Sequence, residues 1–373
     1  MFDFRRVCCG PAFFLCALAF ALSGSTKCWA QFETELVAEG LEHPWALTFL
    51  PEGGYLVTER VGRLRKISPD GELSEPIAGL PDIFVKSQGG LMDLVLAPDF
   101  EQTRMIYFSY AVGTAEANTT ELARATLDDE SLRGFEVLFA AQPRRNRPVH
   151  YGGRILFLND GSLLLTLGDG FDLREQAQNL GNHIGTIVRL LPTGDIPADN
   201  PFTDQPDALD AIYSYGHRNP QGIVVDPVND IVWSHEHGPR GGDELNQIVA
   251  GENYGWPVAT QGIDYSGALI SPFENWSEAR NPEWVWTPSI APAGMALYLG
   301  TQFPEWNGDL LIASLAERSL RRVDLEADQV VGDSIIELDI DERLRDVRVG
   351  PDGGIYLLID SAEGQIRRLR ARP

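Results

Sequence analysis

Six times along the chain an apolar residue is followed by a Pro-, Asp- or Asn-containing turn with Gly nearby, then by a short apolar run ending near a small or acidic residue. The copies begin at Leu50 (LPEGGYLVTE), Leu96 (LAPDFEQTRMIYFSY), Leu158 (LNDGSLLLTLGD), Val225 (VDPVNDIVWSHEH), Phe303 (FPEWNGDLLIAS) and Val349 (VGPDGGIYLLID). The runs are rich in Val, Ile, Leu and Tyr, and no long stretch places apolar residues at helical spacing, so the pattern predicts short strands joined by tight turns. Successive copies start 46 to 78 residues apart, enough for a four-stranded sheet and one long loop each. The reading is all-β, a six-bladed β-propeller whose functional loops gather at one end of a central channel. Its ring would close by pairing Glu35 to Val37 with the stretch Gln365 to Leu369. A pair of β-sandwiches, or a helical insertion in the longer spacings, is the competing reading.

Residues 1–30 break the pattern. Arg5 and Arg6 precede an apolar run from Ala12 to Leu22, and a CWA cleavage signal ends at Ala30, which reads as a secretory signal. The run of 11 residues is shorter than the roughly 20 a membrane helix needs. The expected product is a propeller over residues 31–373, periplasmic or secreted. Cys8, Cys9, Cys16 and Cys28 all fall in the signal, so disulfides and thiol catalysis are excluded from the exported chain. Without the signal, 27 Lys and Arg face 53 Asp and Glu, a net charge of −26. Such a surface repels nucleic acid and anionic membranes. No long apolar stripe demands a partner, leaving monomer or homodimer.

Within this acidic chain, a few segments carry candidate chemistry. From His235 to Pro257 the chain reads HEHGPRGGDELNQIVAGENYGWP. Gly238, Pro239, Gly241 and Gly242 keep the backbone irregular, so carbonyl oxygens are free to face an ion, and Asp243 and Glu244 follow at once. Carbonyls and carboxylates without sulfur suit Ca2+; an acidic, Gly-rich surface turn is the plain alternative. His150, in HYGGR, is a candidate general base. Arg218 and Asn219 lie in YGHRNPQG. Arg343 and Arg345, two apart on a strand, share a face suited to one polyanionic ligand, or else to a solvated surface paired with Asp341, Glu342 and Asp346. Gln88, in SQGGLMDL, adds an amide donor and acceptor beside two glycines that allow close backbone approach. The histidine spacings fit no zinc motif.

Taken in order, EHPWALTFLPEG, QGGLMDL, HYGGRILF, GDIPADNPF, YGHRNPQG, HGPRGGDELN, NYGWP, SIAPAGMALY and RLRDVRVGPDG resemble the soluble aldose sugar dehydrogenases that depend on pyrroloquinoline quinone (PQQ), the glucose/sorbosone dehydrogenase family. The resemblance implies aldose oxidation at C1 to a lactone, with His150 as base and electrons passed to an external acceptor. It implies that Gln88, Arg218, Asn219, Arg343 and Arg345 hold the quinone, that the carbonyls of Gly238 and Pro239 bind a Ca2+ beside it, and that Glu244 and the Tyr254 carbonyl, supported by Asp243, bind a second. Two positions depart from the family pattern. Ala316 stands where relatives often carry a quinone-contacting lysine, with Arg318 a possible substitute, and Tyr151 stands where phenylalanine is frequent. A Ca2+-dependent lactonase and a non-catalytic sugar-binding propeller are the alternatives from other classes.

Overall fold

The computed structural model describes residues 32–372; the signal read at residues 1–30 lies outside the described residues. Six small antiparallel sheets follow one another along the chain. Blade I comprises Pro44–Phe49, Tyr55–Glu59 and Arg63–Ile67; blade II Leu91–Leu96, Met105–Gly113, Asn118–Asp128 and Ser131–Ala140; and blade III Ile155–Phe157, Leu163–Thr166, Thr186–Leu190 and Ile212–Tyr215. Blade IV holds Pro220–Asp226, Ile231–Glu236, Asp243–Ile248 and Trp284–Trp286, and blade V Pro292–Leu297, Leu310–Ser314, Leu320–Glu326 and Gln329–Ile336. Blade VI is built from Leu344–Val349, Ile355–Ile359 and Gly364–Ala371, and its outer strand is the first described segment, Phe32–Leu41.

The first strand of each blade touches the first strands of both neighbours, so the six line one closed ring. The closure uses the expected ends of the chain: Glu35 pairs with Arg368 and Leu36 with Arg367. A ring closed this way leaves no inner edge strand open to aggregation. Each copy of the repeat supplies the first hairpin turn of its blade and the strand after it, as in Tyr55–Glu59 and Ile355–Ile359.

Apolar packing is divided in the same way. Separate clusters sit between blades I and II (Leu56, Leu94, Phe108), II and III (Tyr107, Leu122, Leu165) and III and IV (Leu164, Ile187, Ile223), and three more complete the circuit. A seventh, Trp45, Ala46, Met92, Ala111 and Tyr151, joins inner residues of blades I and II to the segment entering blade III. Polar and charged side chains of the inner strands are buried as well, among them Thr58, Asp93, Thr166, Ser234 and Asp346.

Three buried charges, Asp93, Arg154 and Asp346, form a cluster with the partly buried Arg348. Arg154 Nη1 lies 3.1 Å from Asp346 Oδ1 and 3.6 Å from Asp93 Oδ1, while Arg348 binds Asp346 Oδ2 at 2.8 Å and Asp93 Oδ1 at 3.0 Å. Two arginines and two aspartates thus balance across blades II, III and VI. Gly294 of blade V passes so close that a Cβ there would overlap Asp346 Oδ1. The reading of Asp346 as a surface partner of Arg343 and Arg345 is therefore corrected: the strand register shifts between Leu344 and Asp346, and Asp346 is buried against Arg154 and Arg348.

Candidate active site

His150 precedes the first strand of blade III, and three contacts fix it. Its backbone N–H donates to Gln88 Oε1 at 2.7 Å, its carbonyl accepts from Arg145 Nη1 at 2.7 Å, and Nδ1 meets Asp169 Oδ1 at 2.6 Å. Its φ is +54°, a left-handed conformation that needs such support. Asp169 is itself held by Phe171 N–H at 2.7 Å and by Trp256 Nε1 at 2.9 Å. With its second oxygen bonded to Trp256, Asp169 accepts a hydrogen bond from Nδ1–H, and the lone pair of Nε2 is left without a partner among the described residues. Burial pushes the His150 pKa down, Arg218 and Arg145 push it the same way, and only the bond to Asp169 opposes them. His150 is accordingly a neutral, oriented acceptor at pH 7. Asp169 escaped the sequence reading, although its place at the end of the third repeat copy, LTLGD, was visible.

Beside it lies a cavity of about 260 Å³ lined by Gln88, Tyr151, Asn219, Arg343 and Arg345, with Trp45, Arg60 and Asp360 among the remaining wall. His150 is not in that wall, but its bonded neighbours Gln88, Tyr151 and Gly152 are. Arg345 Nη2 and Arg343 Nε lie 3.3 and 3.6 Å from the same oxygen of Asp360. Two cations thus share one carboxylate, and Arg60, whose Nη1 donates to the carbonyl of Ser87, adds a third. In a chain of net charge −24 this is a local positive well, suited to an anion. The Arg345 guanidinium lies 5.9 Å from the centre of the Trp45 ring, an aromatic face in the same wall. Asn219 uses Oδ1 to accept from Gly152 N–H at 3.1 Å.

Arg218 does not join that wall. It lies over Trp256, donates to the carbonyl of His237 at 2.9 Å, and borders a second space of about 10 Å³ with Glu236, His237, Gly238, Gly242 and Glu244. His237 lines both spaces, so they adjoin. The smaller holds about one water-sized sphere. A Cβ at Gly238 would overlap the carbonyl oxygens of Gly241 and Gly242, so the turn admits only glycine there. The carbonyls of Gly238, Pro239 and Tyr254 accept no hydrogen bond from the described residues. Glu244 is driven well above the usual carboxylate range, by burial first and then by the charge of Glu236.

These features fit a hard cation drawn largely from backbone oxygens. Among the described residues no three His, Cys, Asp or Glu side chains gather into a metal cluster.

Asp243 and Tyr254 are placed differently from Glu244. Asp243 Oδ1 accepts from Gly238 N–H at 2.8 Å, and Oδ2 accepts from Ser289 Oγ at 2.6 Å and from the N–H groups of Ile290 and Ala291 at 2.8 Å. Its carboxylate is saturated, and it shapes the Gly238 turn. The Tyr254 hydroxyl donates to the Gln247 carbonyl at 2.6 Å and its ring stacks on His217 at 4.6 Å, leaving only its carbonyl free. Arg318 does not line the larger of these two cavities: it is half exposed and turned to Asp341 at 3.3 Å. Tyr151 uses the hydroxyl that a phenylalanine lacks to donate to Asn118 Oδ1 at 2.7 Å.

Burial also holds His183 down at about 4 and His235 at about 3. Because the unfolded chain binds these protons first, the stability they contribute is present above pH ~6.5 and is lost as the pH falls toward those values. Asp243 and Glu244, shifted upward, act in the opposite sense, so the effect is isolated by difference. His183→Gln is expected to reduce the stability lost between pH 7 and pH 5 by about 2 kcal/mol in denaturant titrations. Equal losses in variant and wild type would contradict it.

The chain is 40% identical over 367 residues to the aldose sugar dehydrogenase YliI of Escherichia coli, covering 97% of this chain and 99% of that one. The crystal structure of that soluble enzyme in its apo form superimposes with a TM-score of 0.88, covering 91% of this chain and all of that one. The PQQ-bound form of an aldose sugar dehydrogenase from Streptomyces coelicolor is 26% identical with a TM-score of 0.75, covering 91% and 98%. The Glucose / Sorbosone dehydrogenase family model matches residues 41–368, and the chain therefore belongs to that family of oxidoreductases acting on sugars.

Proposed function

We propose that the protein oxidises aldoses at C1 to lactones, using PQQ and Ca2+ and passing the electrons to an external acceptor. The observation that carries this reading is the free Nε2 of a neutral, carboxylate-aligned His150 next to a cavity with three arginines and one carboxylate. When bound, PQQ supplies the two-electron acceptor for the C1 hydride and Ca2+ the Lewis acid that polarises it.

The chain's own residues do the rest. His150 Nε2 takes the proton of the anomeric hydroxyl as the C1–H bond breaks, and the imidazolium formed is stabilised by Asp169. Arg343, Arg345 and Arg60 would hold the carboxylates of the quinone, Arg60 supplying charge that Ala316 lacks. Trp45 offers an aromatic face, and Gln88 and Asn219 fix both the cavity wall and, through backbone N–H groups, the His150–Gly152 segment. The carbonyls of Gly238 and Pro239 would meet the cation beside the cavity, with Glu244 and the Tyr254 carbonyl meeting a second one. Asp243 supports the turn, and Arg218 acts electrostatically on His150. A neutral lactone would give no use for the convergent arginines, which disfavours hydrolysis. The propeller is the exported part of the chain, periplasmic or secreted after loss of residues 1–30. No helix among the described residues is long and apolar enough to cross a membrane.

The test is to strip metal with a chelator, restore Ca2+, titrate with PQQ and add glucose. The expected result is quinone binding that requires Ca2+, followed by loss of the oxidised quinone absorbance. Arg345→Ala should weaken PQQ binding about 10- to 100-fold, as losing a hydrogen bond to a charged group does. Lactone hydrolysis without quinone, or absence of quinone binding, would overturn the proposal.

A further inference from the structure

Among the described residues, Asp360 is the only acidic side chain in the wall of the larger cavity, and each of its contacts fixes it there. Its backbone N–H donates to the Arg343 carbonyl at 2.8 Å, Oδ1 accepts from His43 Nδ1 at 2.8 Å, and Oδ2 lies 3.3 Å from Arg345 Nη2 and 3.6 Å from Arg343 Nε. His43 is anchored in turn, its backbone N–H donating to the Ser361 carbonyl at 2.7 Å. Arg343 is held from the other side by the Leu315 carbonyl at 3.2 Å. Burial pushes the Asp360 pKa up, but the charge of Arg345, the bond to His43 and the charge of Arg343 outweigh it and bring it to about 2. The carboxylate is therefore ionised at pH 7 and carries a fixed negative charge into the cavity.

A negative charge opposes the binding of an anionic ligand in the same wall. Arg60, Arg343 and Arg345 contribute three positive charges and Asp360 one negative, so the wall carries 3 − 1 = +2. In the quinone-free protein that negative charge is stabilising, because two guanidiniums converge on one oxygen and would repel each other without an anion between them. When a polyanion arrives the charge stays in place, since none of its anchors is the ligand, and it repels the incoming carboxylates. We infer that Asp360 is an internal counter-ion that stabilises the arginine-lined cavity before the quinone binds and, by the same charge, limits how tightly the quinone is held; the identity of the anion rests on the dehydrogenase reading. Cofactor affinity is thus set below what the three arginines alone would give, and the protein folds without its cofactor.

The test titrates the Ca2+-loaded, quinone-free protein with PQQ and, separately, with benzene-1,3,5-tricarboxylate, an anion without a quinone. Asp360→Asn keeps the size of the side chain and an oxygen for the arginines and removes the charge. It should bind PQQ about tenfold more tightly than wild type, with a gain that shrinks as salt is raised, and its melting temperature without quinone should fall by about 2–5 °C. A residue that only supports the wall would lower stability and affinity together. Asp360→Ser, uncharged and smaller, gives the same reading if the amide is not tolerated, and Asp360→Glu, which keeps the charge, should show no gain. Affinity for PQQ equal to or weaker than wild type in the uncharged variants, or an equal gain in Asp360→Glu, would overturn the counter-ion role. If PQQ binds no form of the protein, the dehydrogenase reading falls and the tricarboxylate decides: tighter binding to the uncharged variants retains the counter-ion role, and equal or absent binding removes it.

Discussion

Replacing His150 by Ala should lower kcat about 10²- to 10⁴-fold, the range that a positioned general base contributes, with the fold and PQQ binding retained. Retention is expected because the side chain's one protein hydrogen bond is to Asp169, and the backbone bonds to Gln88 and Arg145 survive the change. Asp169→Asn is a sharper probe. An amide oxygen kept for Phe171 N–H also faces His150 Nδ1, but the amide carries no charge and turns its NH2 toward Trp256 Nε1–H, so the protonated imidazole loses the charge that stabilises it and the supporting side chain loses a partner. Turnover should fall by a comparable factor. Burial and two nearby arginines hold the His150 pKa below its ordinary value, so the base stays deprotonated as the pH drops through ~6.5. The acid limb of kcat/KM is therefore expected below that pH in the wild type. Single-turnover rates across pH 4.5 to 8 would check this. A His150→Ala enzyme within tenfold of wild-type kcat would remove the histidine from the reaction.

Arg154→Leu should cost about 3–5 kcal/mol of folding stability, the usual result of stripping one partner from a buried ion pair. Arg154, Asp93 and Asp346 are each at most 3% exposed, and after the change Arg348 alone would face two carboxylates. Asp346 Oδ1 accepts no aligned hydrogen bond despite its 3.1 Å contact with Arg154, so the contribution is mainly one of charge balance. Adding Asp346→Asn should recover part of the loss, since one cation then meets one anion again. Arg154 also donates to the Gln221 carbonyl at 2.7 Å and its guanidinium lies 4.0 Å from the centre of the Trp45 ring. Both of those residues line the larger cavity, so quinone affinity should fall with stability. Denaturant midpoints for wild type, single and double variants decide it: a double variant no more stable than Arg154→Leu alone would refute the charge account.

The blade count and ring closure were legible because each blade repeats the same local event, a turn followed by a buried strand, and local events leave local patterns. His150, Gln88, Asn219, Arg343 and Arg345 were legible as separate motifs, and the fold brings them together around one cavity or directly against it. Asp169, Arg60, Trp45 and Asp360 were not, since an acid, an arginine or a tryptophan on a strand end carries no mark of what it faces. Asp346 shows the difference most clearly. Its neighbours in sequence suggested a surface pair with Arg343 and Arg345, yet the strand register shifts beside it and it is buried against Arg348 and, from another blade, Arg154.

By itself, then, the sequence determined the propeller and the kinds of chemical group on its loops, because strand periodicity and turn residues act over a few positions. Only the tertiary structure decided which groups meet. Closing the ring sets the distances between loops of different blades, and those distances determine which charges are shared, which carbonyls stay free and which histidine is aligned.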